Sequence, residues 1–131
     1  MSKQYLMPVK DWGKVRYFSK QEIACKCGCQ AADIDARVMY VADIVRAYTR
    51  LPMVITSGVR CAAHNKAVGG AKDSAHVQGF ALDIQVNDAV HRRLIRHALS
   101  LFGDVIGIGQ GENFIHFDID TKKPKREWLY K

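Results

Sequence analysis

Apolar residues along the chain recur first at the period of a helix and later at the period of a strand. Ser19 and Glu22 form an S-x-x-E capping box, which predicts a short helix starting just after Phe18 and running up to the cysteine turn. Ile34, Val38, Val41, Ile44, Val45 and Tyr48 recur at intervals of three and four, so a longer helix with one buried stripe is expected over about 34–48. Residues 53–56 are a short β-branched run ending at Ser57-Gly58, the mark of a buried strand entering a turn. Between Cys61 and Ser74, Gly69-Gly70 and many small polar residues predict a helical turn followed by a loop. Residues 80–86 form a strand, and Asn87 or Asp88 caps a helix through about Phe102. Two closing strands, near 105–109 and 114–120, flank a polar turn at 110–113. Helices come first and strands dominate later without βαβ alternation. That order predicts an α+β fold with a small, mainly antiparallel sheet and flanking helices.

Length and composition keep this to one domain over 1–131, with 48% hydrophobic and 25% charged residues. No internal repeat, low-complexity stretch or apolar run of ~20 residues occurs, which excludes solenoids, disordered tails and a membrane span. The first ten residues carry charge and Pro8 without an apolar h-region, so no Sec signal peptide is read and synthesis in the cytoplasm is expected. Twenty Lys plus Arg against thirteen Asp plus Glu leave a formal net charge of +7. Such a surplus favours a polyanion, whether nucleic acid, an anionic membrane face or an anionic cell wall. The dense run Lys122, Lys123, Lys125 and Arg126 reads equally as a solvated surface or a polyanion contact, and no segment has the form of a nucleic-acid arm. Nucleotide and serine-hydrolase chemistry drop out, because no P-loop, Rossmann or G-x-S-x-G motif is present.

The strand alternation places candidate chemistry. In 80–86 the period of two puts Leu82, Ile84 and Val86 on one face and Ala81, Asp83 and Gln85 on the other. In 114–120 it puts Ile115, Phe117 and Ile119 in the core and His116, Asp118 and Asp120 opposite. His76 lies seven residues before Asp83 in a loop that can fold back over the same face. Two imidazoles and one carboxylate are a common catalytic zinc set that leaves a fourth position open. Four cysteines occur, at Cys25, Cys27, Cys29 and Cys61, in a spacing that matches neither C-x-x-C nor a zinc finger. They read as a small turn of partly buried thiols, with a second, structural zinc as the alternative. His64, His91 and His97 fall outside these patterns, and the last two share a helix with Arg92, Arg93 and Arg96 that reads as a solvated basic face. Trp12 and Trp128, near the two ends, read as residues packed onto the domain, with a wall or sugar surface as the alternative.

Ser74-x-His76-x-x-Gly79-x-Ala81-x-Asp83, followed by Phe114-Ile115-His116-x-Asp118, resembles the S-x-H-x-x-G-x-A-x-D and H-x-D motifs of the zinc D-Ala-D-Ala carboxypeptidases and the related L-alanyl-D-glutamate endopeptidases. The segments Thr56-Ser57-Gly58-Val59-Arg60-Cys61, Asn65-x-x-Val68-Gly69-Gly70 and Phe18-Ser19-x-x-Glu22-x-x-Cys25-x-Cys27-Gly28-Cys29 resemble the small single-domain branch found in bacteria and phage lysis proteins. The likeness covers about 17–120 and implies a fold shared with lysostaphin-type and hedgehog-type domains. It implies one catalytic Zn2+ held by His76, Asp83 and His116, with Arg60 holding a substrate carbonyl or carboxylate. A surface ion pair is the other reading of Arg60. Relatives carry Glu or Asp three residues before the last ligand, where this chain has Asn113. Glu112 is therefore the first candidate for the general base and Asp118 its rival, either as base or as a group orienting a ligand. Ser74 and Gln78 flank the ligand loop as candidates for substrate contact or for loop hydrogen bonds. The implied activity is hydrolysis of a peptide bond in the peptidoglycan stem peptide or cross-link by zinc-activated water. The implied setting is a monomeric, endolysin-like protein reaching the wall with a holin's help. The absent acid at Asn113 motivates an alternative, a non-catalytic zinc-containing wall-binding or tail-associated module.

Overall fold

The computed structural model describes residues 4–121 and 126–130. Lys122, Lys123 and Lys125 of the basic run lie outside the described residues. Ser19 caps α1 (Lys20–Ile23), and both bonds of the expected box form: Glu22 N–H donates to Ser19 Oγ and Ser19 N–H to Glu22 Oε1. Helix α2 (Ala36–Thr49) is capped by Asp35, and its first residue lies two positions later than its apolar pattern suggests. Its buried face is Val38, Met39, Val41, Ala42 and Val45, whereas Ile44 and Tyr48, expected in the stripe, are exposed. The small Ala42 and the flexible Met39 take the inward positions, which rotates the buried stripe away from those two larger side chains.

Strand β1 (Ile55–Ser57) leads to α3 (Ala62–Ala67), then β2 (Ala81–Gln85), α4 (Ala89–Ser100) capped by Asp88, β3 (Gly107–Gln110), β4 (Phe114–Asp118) and β5 (Glu127–Leu129). The sheet order is β1-β2-β4-β3-β5, antiparallel throughout except for β3 with β5. This is the expected α+β class with a mainly antiparallel sheet and flanking helices. Leu82, Ile84, Ile115 and Phe117 are fully buried, as the alternation predicts, in one core with the inner residues of α2 and α4, and α4 packs on β3 and β4. The opposite face is buried as well: Asp83, His116, Asp118 and Asp120 all have under a tenth of their surface exposed. Buried polar groups must find partners or charges of opposite sign, so this face is where the fold concentrates its electrostatics.

Strand β5 is absent from the pattern reading, because three residues after a basic, proline-containing run carry too little alternation to register. It is held by parallel pairing of Ile108 with Glu127 and Gly109 with Trp128, and by a two-pronged Arg96 to Glu127 ion pair from α4, each N···O 2.7 Å. A methyl group on Gly109 would meet the rings of Tyr130 and Trp128 at 2.6–2.7 Å, so glycine at 109 is what lets these aromatics lie flat on the sheet. His91, read from sequence as solvated, is instead buried: its Nδ1 accepts from Asn87 N–H and its Nε2–H donates to the Pro52 carbonyl. Those two bonds tie the start of α4 to the chain entering β1, while His97 remains exposed.

Asp35 anchors the amino-terminal segment. Fully buried, it accepts from the backbone N–H groups of Met7 and Arg37 and from two guanidinium nitrogens of Arg37, all at 2.9 Å. Burial works against its charge, yet the Arg37 and backbone donors hold its carboxyl below the ordinary carboxylate range. Asp35→Ala strands two backbone donors and is expected to cost about 2 kcal/mol, read as a lower urea midpoint, with Asp35→Asn milder. A depressed folded pKa contributes stability that is complete above the unfolded value near ~3.9 and is lost as pH falls through the folded value. The gap between wild type and Asp35→Asn is therefore expected to close in acid.

Candidate metal centre

Three side chains from three segments converge on the buried polar face. Asp83 on β2 and His116 on β4 are direct cross-strand partners, so sheet register alone sets them side by side. His76 comes from the loop before β2, where Ser74 Oγ accepts from His76 N–H and Gly79, at φ +78, turns the chain back into the strand. His76 Nε2 lies 3.1 Å from Asp83 Oδ1, His116 Nδ1 lies 2.9 Å from the same oxygen, and the two nitrogens are 3.3 Å apart.

The outer nitrogens fix the tautomers. His76 Nδ1–H donates to the Gly58 carbonyl at 2.8 Å, and His116 Nε2–H donates to Asp118 Oδ2 at 2.8 Å. Each imidazole thus turns a lone pair toward Asp83 Oδ1, and three acceptors face one another. That arrangement repels itself unless a proton or a cation sits among them. Burial opposes a charge on Asp83, yet once a proton sits among the three atoms, hydrogen bonding to His116 and His76 holds its carboxyl well below the ordinary range. Burial likewise opposes an imidazolium at His116, but Asp118 and Asp83 outweigh it and raise its pKa. A tetrahedral zinc with ligand distances of about 2.0–2.1 Å separates its ligand atoms by roughly 3.3 Å. The observed triangle, 2.9–3.3 Å on a side, fits such an ion with little adjustment.

The triad floors a cleft of about 680 Å³. Arg60, following β1, places Nη2 3.6 Å from Asp83 Oδ2 and is itself held by Ser57 Oγ and Asn65 Oδ1 at 3.0 and 3.1 Å. The other wall comes from β5: the Trp128 ring centroid lies 5.5 Å from that of His116, Tyr130 lies 6.1 Å from it, and Arg126 stacks over Trp128 at 4.5 Å. Burial, then the carboxylates Asp83 and Asp118, push the Tyr130 phenol up to about 12, so it stays protonated and able to donate.

The residues singled out from sequence separate in space. His76, Asp83, His116, Arg60, Asp118 and Ser74 all line the cleft. Gln78 is not in its lining, and Glu112 is exposed in the β3–β4 turn beside a different cavity, where its carbonyl accepts from Arg92. Alternation cannot place Glu112, because turn geometry sets its direction. Asp118 does reach the site, but through His116. Asp73 is a further carboxylate in the cleft lining that the sequence reading did not single out. Trp128, read from sequence as packed onto the domain with a wall or sugar surface as the alternative, lines the cleft, and Tyr130 beside it was missed, as was the role of Asn65 in holding Arg60. The signal for the aromatic pair is their spacing of two, which puts both rings on one face of any strand.

The family model described as Peptidase M15 matches residues 16–118, which span all three residues of the triad and both of its outer hydrogen-bond partners. The chain belongs to the peptidase M15 family. No curated protein matches it. The matched span of this M15 peptidase stops at Asp118, before β5. No helix among the described residues is long and apolar enough to cross a membrane.

Proposed function

We propose that this M15 peptidase is a zinc enzyme that hydrolyses a peptide bond in the peptidoglycan stem peptide or its cross-link. The carrying observation is the triangle of His76 Nε2, Asp83 Oδ1 and His116 Nδ1, with both imidazoles locked from behind. A zinc ion held there would polarise a substrate carbonyl and acidify a water molecule. Asp118 and the Gly58 carbonyl keep each imidazole in the tautomer that can ligate. Arg60, anchored at Ser57 and Asn65, offsets negative charge that develops on the substrate oxygen. Tyr130 offers a second donor, and Trp128 with Arg126 supplies a flat, cationic wall for a peptide that bears carboxylates. The net charge of +7 adds long-range attraction to an anionic wall. A single, monomeric domain acting in the manner of an endolysin is the form this proposal takes.

Metal analysis paired with mass spectrometry of muropeptides tests it. One catalytic zinc at the triad and chelator-sensitive release of defined fragments are expected, and full activity after verified metal removal defeats the reading. Because Glu112 lies outside the cleft, Glu112→Ala is expected to change turnover less than about twofold, as for a surface substitution. A large loss of turnover in that variant would restore Glu112 as the base.

One observation favours a second reading, a non-catalytic zinc-containing wall-binding or tail-associated module: position 113 is Asn and Glu112 faces elsewhere. On that reading the protein sediments with purified wall, keeps its zinc and releases no new amino or carboxyl termini.

A further inference from the structure

A second convergence lies outside the cleft. Cys25, Cys27 and Cys29 follow α1, Cys61 caps α3, and the four sulfurs all lie within 4.8 Å of one another. In an extended strand cysteines two apart would share a side but stand about 6.6 Å from one to the next, too far apart for three of them to meet at one point. Here the chain turns tightly instead, with Gly28 at φ +93 and Gln30 at φ +65, and Cys25 N–H closes the loop by donating to the Ala31 carbonyl at 2.7 Å. The turn brings all three thiols together, facing Cys61.

We propose that these four cysteines hold a structural zinc ion, separate from the peptidase centre, that staples the turn after α1 to the start of α3. The spacing suits one ion better than disulfides. Zn–S distances of about 2.3 Å in a tetrahedron separate the sulfurs by roughly 3.8 Å, and Cys27 Sγ lies 3.5 Å from Cys25 Sγ and 3.6 Å from Cys61 Sγ. A disulfide needs one exclusive pair at about 2.05 Å, whereas Cys27 stands equally near two partners. Four thiolates around a divalent cation leave a net negative cluster, and backbone donors are aimed at it. Cys61 N–H points to Cys25 Sγ and His64 N–H to Cys61 Sγ, both at 3.4 Å. Binding would release the thiol protons to solvent and involves no oxidation.

The staple has a mechanical consequence. Cys61 directly follows Arg60, whose guanidinium leans on Asn65 of α3 and faces Asp83. An ion at the cysteines would therefore fix the backbone that carries Arg60 into the cleft.

The test uses the full chain, purified under reducing conditions, with zinc itself as the probe. Native mass spectrometry of wild type is expected to show two zinc ions, and His76→Ala/His116→Ala is expected to keep one, released by a thiol-specific mercurial. Cobalt in that double variant is expected to give the intense near-ultraviolet band of thiolate coordination. Cys27→Ser/Cys29→Ser is expected to retain the triad ion alone. Should the serine variant fail to fold, the wild-type stoichiometry and the cobalt spectrum still decide. A single zinc in wild type that vanishes with the histidines overturns the proposal, as does a mass lowered by two hydrogens per bond, which would mean disulfides. Ready alkylation of all four thiols in the native protein at full zinc occupancy overturns it equally.

Discussion

His116→Ala is expected to remove the triad metal and reduce peptide hydrolysis roughly a thousandfold or more, the equivalent of about 4 kcal/mol of lost Lewis-acid stabilisation. The effect is large because His116 sits at the centre of the array: one nitrogen faces Asp83 and His76, and the other donates to Asp118. Asp118→Asn separates the two functions. It leaves the ligating nitrogen present but loosens the tautomer and the orientation, so metal affinity is expected to fall about 10–100-fold while activity returns at saturating zinc. A group serving as general base would not be rescued in this way. Zinc titrations followed by hydrolysis assays distinguish the outcomes, and unchanged metal affinity in His116→Ala would remove His116 from the ligand set.

The same array sets a pH dependence. In the metal-free protein His116 titrates above its ordinary value, because Asp118 and Asp83 outweigh the cost of burying the charge. A raised folded pKa contributes stability that is complete below the unfolded value near ~6.5 and is lost as pH rises through the folded value. The metal-free protein is thus expected to lose thermal stability on going alkaline, when the last proton leaves three acceptors facing one another. Zinc bound at the triad is expected to take the place of that proton and to remove the dependence. On the same ground, zinc affinity is expected to weaken as pH falls through the raised value, since proton and metal compete for Nδ1.

Arg60→Ala is expected to lower kcat/KM by about 10²–10³-fold with zinc occupancy nearly unchanged, the loss seen when one preorganised donor is removed from a developing oxyanion. The geometry makes this sharper than an ordinary ion-pair deletion. The guanidinium is largely buried and clamped at Nε by Ser57 and at Nη1 by Asn65, with Nη2 turned toward Asp83. Lysine cannot satisfy Ser57 and Asn65 together, so Arg60→Lys is expected to recover little. Were Arg60 no more than an ion-pair partner of Asp83, Arg60→Ala would weaken zinc binding and hydrolysis in parallel. Measuring occupancy and kinetics on the same preparations tells the two apart.

Particular residues mark how far the sequence is legible. The capping box at Ser19 and Glu22 forms as read, because both bonds close within four residues. The period of two placed Asp83 and His116 on a common polar face, and strand register then made them neighbours. The same logic failed for Ile44 and Tyr48, where neighbouring Met39 and Ala42 packed inward and turned the helix. It failed for His91, whose burial depends on the Pro52 carbonyl, far away along the chain.

The features legible in the sequence are therefore local and periodic: the order of elements as far as β4, the faces of β2 and β4, the caps, and the ordered motif His76, Asp83, His116 with its resemblance to zinc peptidases. These follow from steric and hydrogen-bonding preferences that act over a few residues. Long-range packing is what buries the polar face, leaves Glu112 outside the cleft, brings Asp118 to it through His116, and sets Trp128 and Tyr130 along its wall. It also decided that Cys61 meets three cysteines more than thirty residues earlier in the chain. Each of those outcomes depends on contacts between segments distant in sequence. Their strength is set by what packing leaves exposed or unpaired, and no local pattern encodes that.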